Sequence, residues 1–138
     1  MRIRKEWKPW DPTVDFKKVP GTMGVYEIAD DQHACIYIGY AGGTSPHGLR
    51  GELYRIFGMP PGSEHWNWSH PQPDGIAPEL KQRARYYRLE ENSNAYSRWV
   101  ECLTRYREDY DDVPALNHDA RAPRVPYLGR YHWKSEGI

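Results

Sequence analysis

Two short apolar runs separated by four turn-forming residues constrain this chain more than any other feature. Gly24-Val25-Tyr26-Glu27-Ile28-Ala29 is rich in the β-branched and aromatic side chains that suit strands. Ala34 to Tyr40 (ACIYIGY) is a second and more apolar run. Between them, Asp30-Asp31-Gln32-His33 supplies side chains that hydrogen-bond nearby backbone and favour a turn. A chain with this pattern is expected to fold around an antiparallel hairpin. If the turn closes symmetrically, Tyr26 stands directly opposite Tyr37 on one face.

The rest of the chain reads outward from that hairpin. Residues 1–20 carry Pro9, Pro12 and Pro20 and suggest an extended arm. Gly42-Gly43-Thr44-Ser45-Pro46 breaks the second strand. From His47 to Phe57, Leu49, Leu53, Ile56 and Phe57 recur on one face of an amphipathic helix, with Arg50 and Tyr54 in line along its border. Residues 58–79 are rich in Gly and Pro and hold His65, Trp66, Trp68 and His70, which is long for a structureless loop in a compact domain. Arg83 to Glu91 is expected to form a third strand. Asn92 or Ser93 then caps a helix whose stripe is Ala95, Trp99, Cys102, Tyr106 and Tyr110, supported by Leu103. Pro114-Ala115-Leu116-Asn117 closes the unit, and the remainder is a tail with Tyr127, Tyr131 and Trp133. There is no internal repeat.

With 138 residues this is one domain, a core of about 20–118 with an arm and a tail. No run is long enough to span a bilayer, and no apolar segment follows the basic N-terminus, so a signal peptide is not expected. Cys35 and Cys102 fit neither metal-ligand nor redox spacing and read as two reduced thiols, pointing to a cytoplasmic protein. Formal net charge is zero. That balance does not announce a nucleic-acid partner, although Lys81, Arg83, Arg85 and Arg88 cluster and suggest a local basic face.

Taken singly, the polar residues are unremarked: Tyr26 and Tyr37 are strand packing residues, Arg50 a solvated helix arginine, Asn117 a turn residue. Taken in order, they form a pattern. Gly24-Val25-Tyr26 followed by Tyr37-Ile38-Gly39 resembles the two half-motifs of the GIY-YIG nuclease superfamily. Arg50 with Tyr54 one turn later is similar to that family's first-helix pair. Glu101, then Pro114-Ala115-Leu116-Asn117, resembles its later glutamate and Pro-x-x-Asn.

The resemblance implies an α+β fold, a three-stranded antiparallel sheet flanked by helices, and metal-dependent hydrolysis of nucleic-acid phosphodiester bonds. It implies Tyr26, Tyr37, Arg50, Tyr54 and Glu101 as the catalytic set, with Mg²⁺ or Mn²⁺ held by Glu101. The residue types suit that chemistry: a guanidinium fork bridges phosphate oxygens, a carboxylate holds a hard cation, and a phenol orients water. A free tyrosine has a pKa of about 10, so a phenolate base needs a cation beside it. Tyr26 is the expected base and Tyr37 its support. Asn117, Trp66 and His65 are expected to contact substrate, Trp66 by stacking on bases.

On a helical wheel Glu101 falls nearly opposite the apolar stripe of its helix. Glu90 and Glu91 are the substitute carboxylates, and a catalytically silent module binding nucleic acid or protein is the alternative reading. The expected partner is nucleic acid, DNA first, with a homodimer or a separate targeting partner supplying specificity.

Overall fold

In the computed structural model, residues 3, 5–11, 16–43, 47–57 and 78–118 are described. They form a four-stranded antiparallel sheet with three helices, an α+β fold. The strands are β1 (Lys8–Pro9), β2 (Gly24–Ala29), β3 (Cys35–Ala41) and β4 (Tyr86–Glu91), in the order β1-β4-β2-β3. The helices are α1 (Gly48–Phe57), α2 (Pro78–Arg83) and α3 (Ala95–Tyr110).

The expected hairpin is present, and β2, buried along its whole length, becomes one of the two inner strands. The sheet has one strand more than expected, because part of the N-terminal arm pairs with β4: Lys8 opposite Tyr87 and Pro9 opposite Tyr86. An edge strand is where a proline in the ladder is tolerated.

Arg83 does not open the third strand. It ends α2, a helix that Pro78 can begin because the first helical position has no use for an N–H. An i,i+4 contact from Arg83 to Glu79 at 3.1 Å supports that helix. The cap of α3 is also displaced. Asn94 precedes the helix without a side-chain cap bond, while Asn92 accepts the Asn94 N–H at 2.8 Å. At the far end Asp111 takes φ 64° and returns its N–H to Arg107 O.

The sheet divides two hydrophobic cores. Alternation sends Tyr26 and Ile28 of β2 towards α1, where they pack with Leu49, Leu53 and Ile56. Val25 and Ile38 face α3, packing on Trp99, Val100 and Leu103. The predicted stripe of α3 holds over its first turns, but the helix outruns the sheet and Tyr110 is 61% exposed.

Candidate functional site

The register decides how the two half-motifs meet. Tyr26 lies opposite Gly39, and Tyr37 lies opposite Ile28, with a register irregularity at Ile28/Ala29. The tyrosines share a face but are diagonal neighbours rather than a direct pair, with ring centroids 6.2 Å apart. The irregular turn accounts for the difference from a symmetric closure. Gly39 is there for the Tyr26 ring. A Cβ at position 39 would stand under 3.0 Å from Tyr26 Cζ and Oη.

The Tyr26 hydroxyl donates to Glu52 Oε1 at 2.8 Å, inside the α1 core, with Tyr26 1% and Glu52 6% exposed. Glu52 had no place in the family pattern, yet the sequence carried a signal. It lies three residues after Leu49 and four before Ile56, on the apolar stripe, where a carboxylate needs a partner. Tyr54 is buried and meets Phe16 edge-on at 5.4 Å, so it is a packing residue as much as a motif residue.

Arg50 Nε donates to the Val19 carbonyl at 2.9 Å, fixing the arm to α1. The start of α1 is closed in the same way. Leu49 and Arg50 donate their backbone N–H groups to Thr22 O at 2.9 Å and Pro20 O at 3.1 Å. Gly48 has φ 59°, and a Cβ there would collide with Gly21 and Thr22 backbone. The helix N-terminus is therefore satisfied by the chain itself and does not offer those donors to a phosphate.

Glu101 is elsewhere. It lies on α3 with its side chain 33% exposed, and Arg98 Nη1 is 3.0 Å from its Oε1. Arg98 also binds Glu90 through two hydrogen bonds, Nε to Oε2 at 2.9 Å and Nη2 to Oε1 at 3.1 Å. Glu90 stands opposite Val25, on the α3 side of the sheet. The hydrogen bond from Arg98 holds its carboxyl below the usual range, against the opposing effect of burial. The first substitute carboxylate is thus committed to the same ion network, and the second, Glu91, accepts from Thr22 Oγ1 at 2.8 Å.

Among the described residues no group of three or more His, Cys, Asp or Glu is placed to hold a metal ion. Glu101 itself does not fit the expected Mg²⁺. A guanidinium already sits on its oxygen, and an added cation there would meet like charge.

Asn117, expected to contact substrate, is buried and built into the edge of the sheet. Its side chain accepts the Ile38 N–H at 2.8 Å and donates to Ile38 O at 2.9 Å, doing for the outer edge of β3 what a neighbouring strand would do. Trp99 Nε1 adds a second donor to Ile38 O at 2.8 Å.

The expected basic face is largely engaged within the fold. Arg83 approaches Asp30 and Glu79, Arg85 donates to the carbonyls of Gln82 and Ala84, and Arg88 pairs with fully buried Glu27 at 2.6 Å. His65, Trp66, Trp68, His70 and Trp133 lie outside the described residues.

A family model described as Domain of unknown function (DUF7508) matches residues 1–109. The chain belongs to this family. No curated protein and no solved structure matches it. The matched span of this DUF7508 chain contains the arm, both half-motifs, α1, β4 and most of α3, and stops short of Asn117.

Proposed function

We propose that this DUF7508 protein is a catalytically silent, GIY-YIG-like module that binds nucleic acid. One observation carries the catalytic silence, while the nucleic-acid partner rests on the resemblance of the half-motifs. Glu101, the carboxylate that metal-dependent hydrolysis would need, is tied to Arg98 on the sheet face opposite Tyr26. The other motif residues support it. Tyr54 and Asn117 are built into the core and the sheet edge, and the Tyr26 hydroxyl is occupied inside the α1 core.

The test is incubation of the purified protein with supercoiled plasmid and structured RNA in Mg²⁺, Mn²⁺ or EDTA, beside oligonucleotide titrations at rising salt. Intact substrates, with binding that weakens as salt rises, are the expected outcome. Salt-insensitive absence of binding would transfer the module to a protein partner.

A second reading is an active endonuclease that uses Glu52 as its carboxylate. The 2.8 Å hydrogen bond from Tyr26 favours it, because that contact brings a carboxylate to the half-motif tyrosine from α1 itself. Metal-dependent cutting that Glu52→Gln removes and Glu101→Gln leaves intact would establish this reading in place of the first.

A further inference from the structure

We infer that the strip of β4 beside α3 is a platform for single-stranded nucleic acid, an inference that rests on the nucleic-acid binding proposed for the module. α3 packs mainly across β2 and β3. Tyr86 and Arg88 of β4, opposite Ala29 and Glu27 on the α3 side, are left partly exposed. Each has a second planar group stacked on it. The His33 ring lies 4.1 Å from that of Tyr86, and the Trp7 ring lies 4.0 Å from Arg88 Cζ. His33 is exposed and Trp7 half-buried, so each ring still meets solvent.

The spacing of the two stacks selects the partner. They stand two residues apart on one strand, about 7 Å. Bases in a duplex rise about 3.4 Å along each strand. The platform therefore suits bases splayed about twice as far apart, which a single strand adopts and a duplex does not. Stacking of this kind accepts any base, because each has a π face. The turn also holds His33 in place before any ligand arrives. Its φ of 62° is uncommon for a residue other than glycine. Asp30 fixes that geometry: its carboxylate accepts the N–H groups of Gln32 and Ala34, both at 3.0 Å, and its carbonyl accepts the His33 N–H at 3.1 Å. A ring set on such a turn has little freedom left to lose on binding.

Charge on this face suits a phosphate backbone. Its inner carboxylates are neutralised within the fold, Glu27 by Arg88, Glu90 by Arg98 and Asp30 by Arg83. Cations remain at the two ends of the row. Exposed Lys5 lies beside Trp7, its carbonyl accepting from Arg88 Nη1 at 3.1 Å. Exposed Arg85, next to Tyr86, gives its Nη1 to the neutral carbonyls of Gln82 and Ala84, which leave its charge uncompensated. Within two residues of the four stacked groups, exposed Lys5, Lys8 and Arg85 outweigh exposed Glu6 and Asp31. The excess is small, so stacking carries more of the affinity than charge does.

The experiment titrates the full chain into labelled oligo-dT, oligo-U and a duplex of equal length, read by fluorescence anisotropy at several salt concentrations. Both single strands should bind more tightly than the duplex. His33→Asn keeps a residue that tolerates the left-handed turn but removes the ring, and should raise the single-strand Kd by roughly 5- to 150-fold. Lys5→Gln should lower the salt slope by about 1, and Lys18→Gln, at an exposed position beside Phe16 on the α1 side, should change neither. Single-strand binding that His33→Asn and Lys5→Gln leave unchanged overturns the platform while the nucleic-acid reading stands, as does a preference for duplex. Failure of the folded protein to bind any of the three removes both. Photocrosslinking of a 5-bromouracil oligonucleotide to the unsubstituted protein decides the same question without a variant. Adducts on Trp7, His33 or Tyr86 support the platform, and adducts confined to other residues overturn it.

Discussion

Gly39 and Asn117 show how single residues of a motif can be explained by packing. Gly39→Ala would push a methyl group into the Tyr26 ring, which cannot retreat because it is enclosed by the α1 core. We expect a loss of about 1–3 kcal/mol of stability in denaturant titrations, typical of overpacking, together with weakening of the bond to Glu52. Asn117→Ala would remove both side-chain bonds to Ile38, leaving its N–H without the acceptor it has in the fold. About 2–3 kcal/mol is expected from that change, read as a lowered urea midpoint at constant slope. Both glycine and asparagine were visible in the sequence as motif residues. What they do physically was not, because neither the ring above Gly39 nor the strand edge beside Asn117 is a sequence neighbour.

Two elements carry charge into places where charge must be matched. In β4 and α3, Glu90 is held by Arg98, and its pKa is lowered first by that hydrogen bond. A depressed folded-state pKa contributes stability that is complete above the ordinary glutamate pKa of about 4.3 and is lost as pH falls through the folded value. Arg98→Met should therefore destabilise the protein at pH 7 and flatten the fall in stability below about pH 4.3. Urea melts of wild type and variant at pH 7 and pH 3.5 would read the difference; parallel losses in the two proteins would contradict it. In β2, Glu27 is 0% exposed and depends on Arg88, which is also the seat of Trp7. Arg88→Met leaves that carboxylate buried without its guanidinium, and about 3–5 kcal/mol is the usual consequence of breaking such a pair. Thermal unfolding should show it as a large drop in Tm. In the same layer burial pushes the Cys102 thiol up to about 12, consistent with an unreactive core cysteine.

At the scale of the molecule, the arm, the sheet and the helices form interlocked layers. Phe16 sits in a cluster with Tyr54, Phe57 and Tyr87, joining the N-terminal segment to α1 and β4. The assay that matters most is the cleavage test with metal, since it separates a module that binds from one that cuts. Intact DNA and RNA, with wild type folded, is the outcome expected from the position of Glu101. No helix among the described residues is long and apolar enough to cross a membrane.

By itself the sequence determined the hairpin, the amphipathic α1 and α3, and the α+β class, because these follow from local periodicity and turn chemistry that act within a few residues. It also placed Tyr26 and Tyr37 on one face, on the condition that the turn fixed the register, since a slip of one residue would have sent one of them to the other side. Tertiary structure decided the rest. The register irregularity turned an opposed tyrosine pair into a diagonal one, and an arm remote in sequence supplied the fourth strand. The sheet then separated Glu101 from Tyr26, because motif order along a chain says nothing about which side of a sheet each element covers. Burial completed the assignment. A carboxylate placed on an apolar stripe has to find a donor, and for Glu52 that donor is Tyr26, supplied by the strand that packs against its helix.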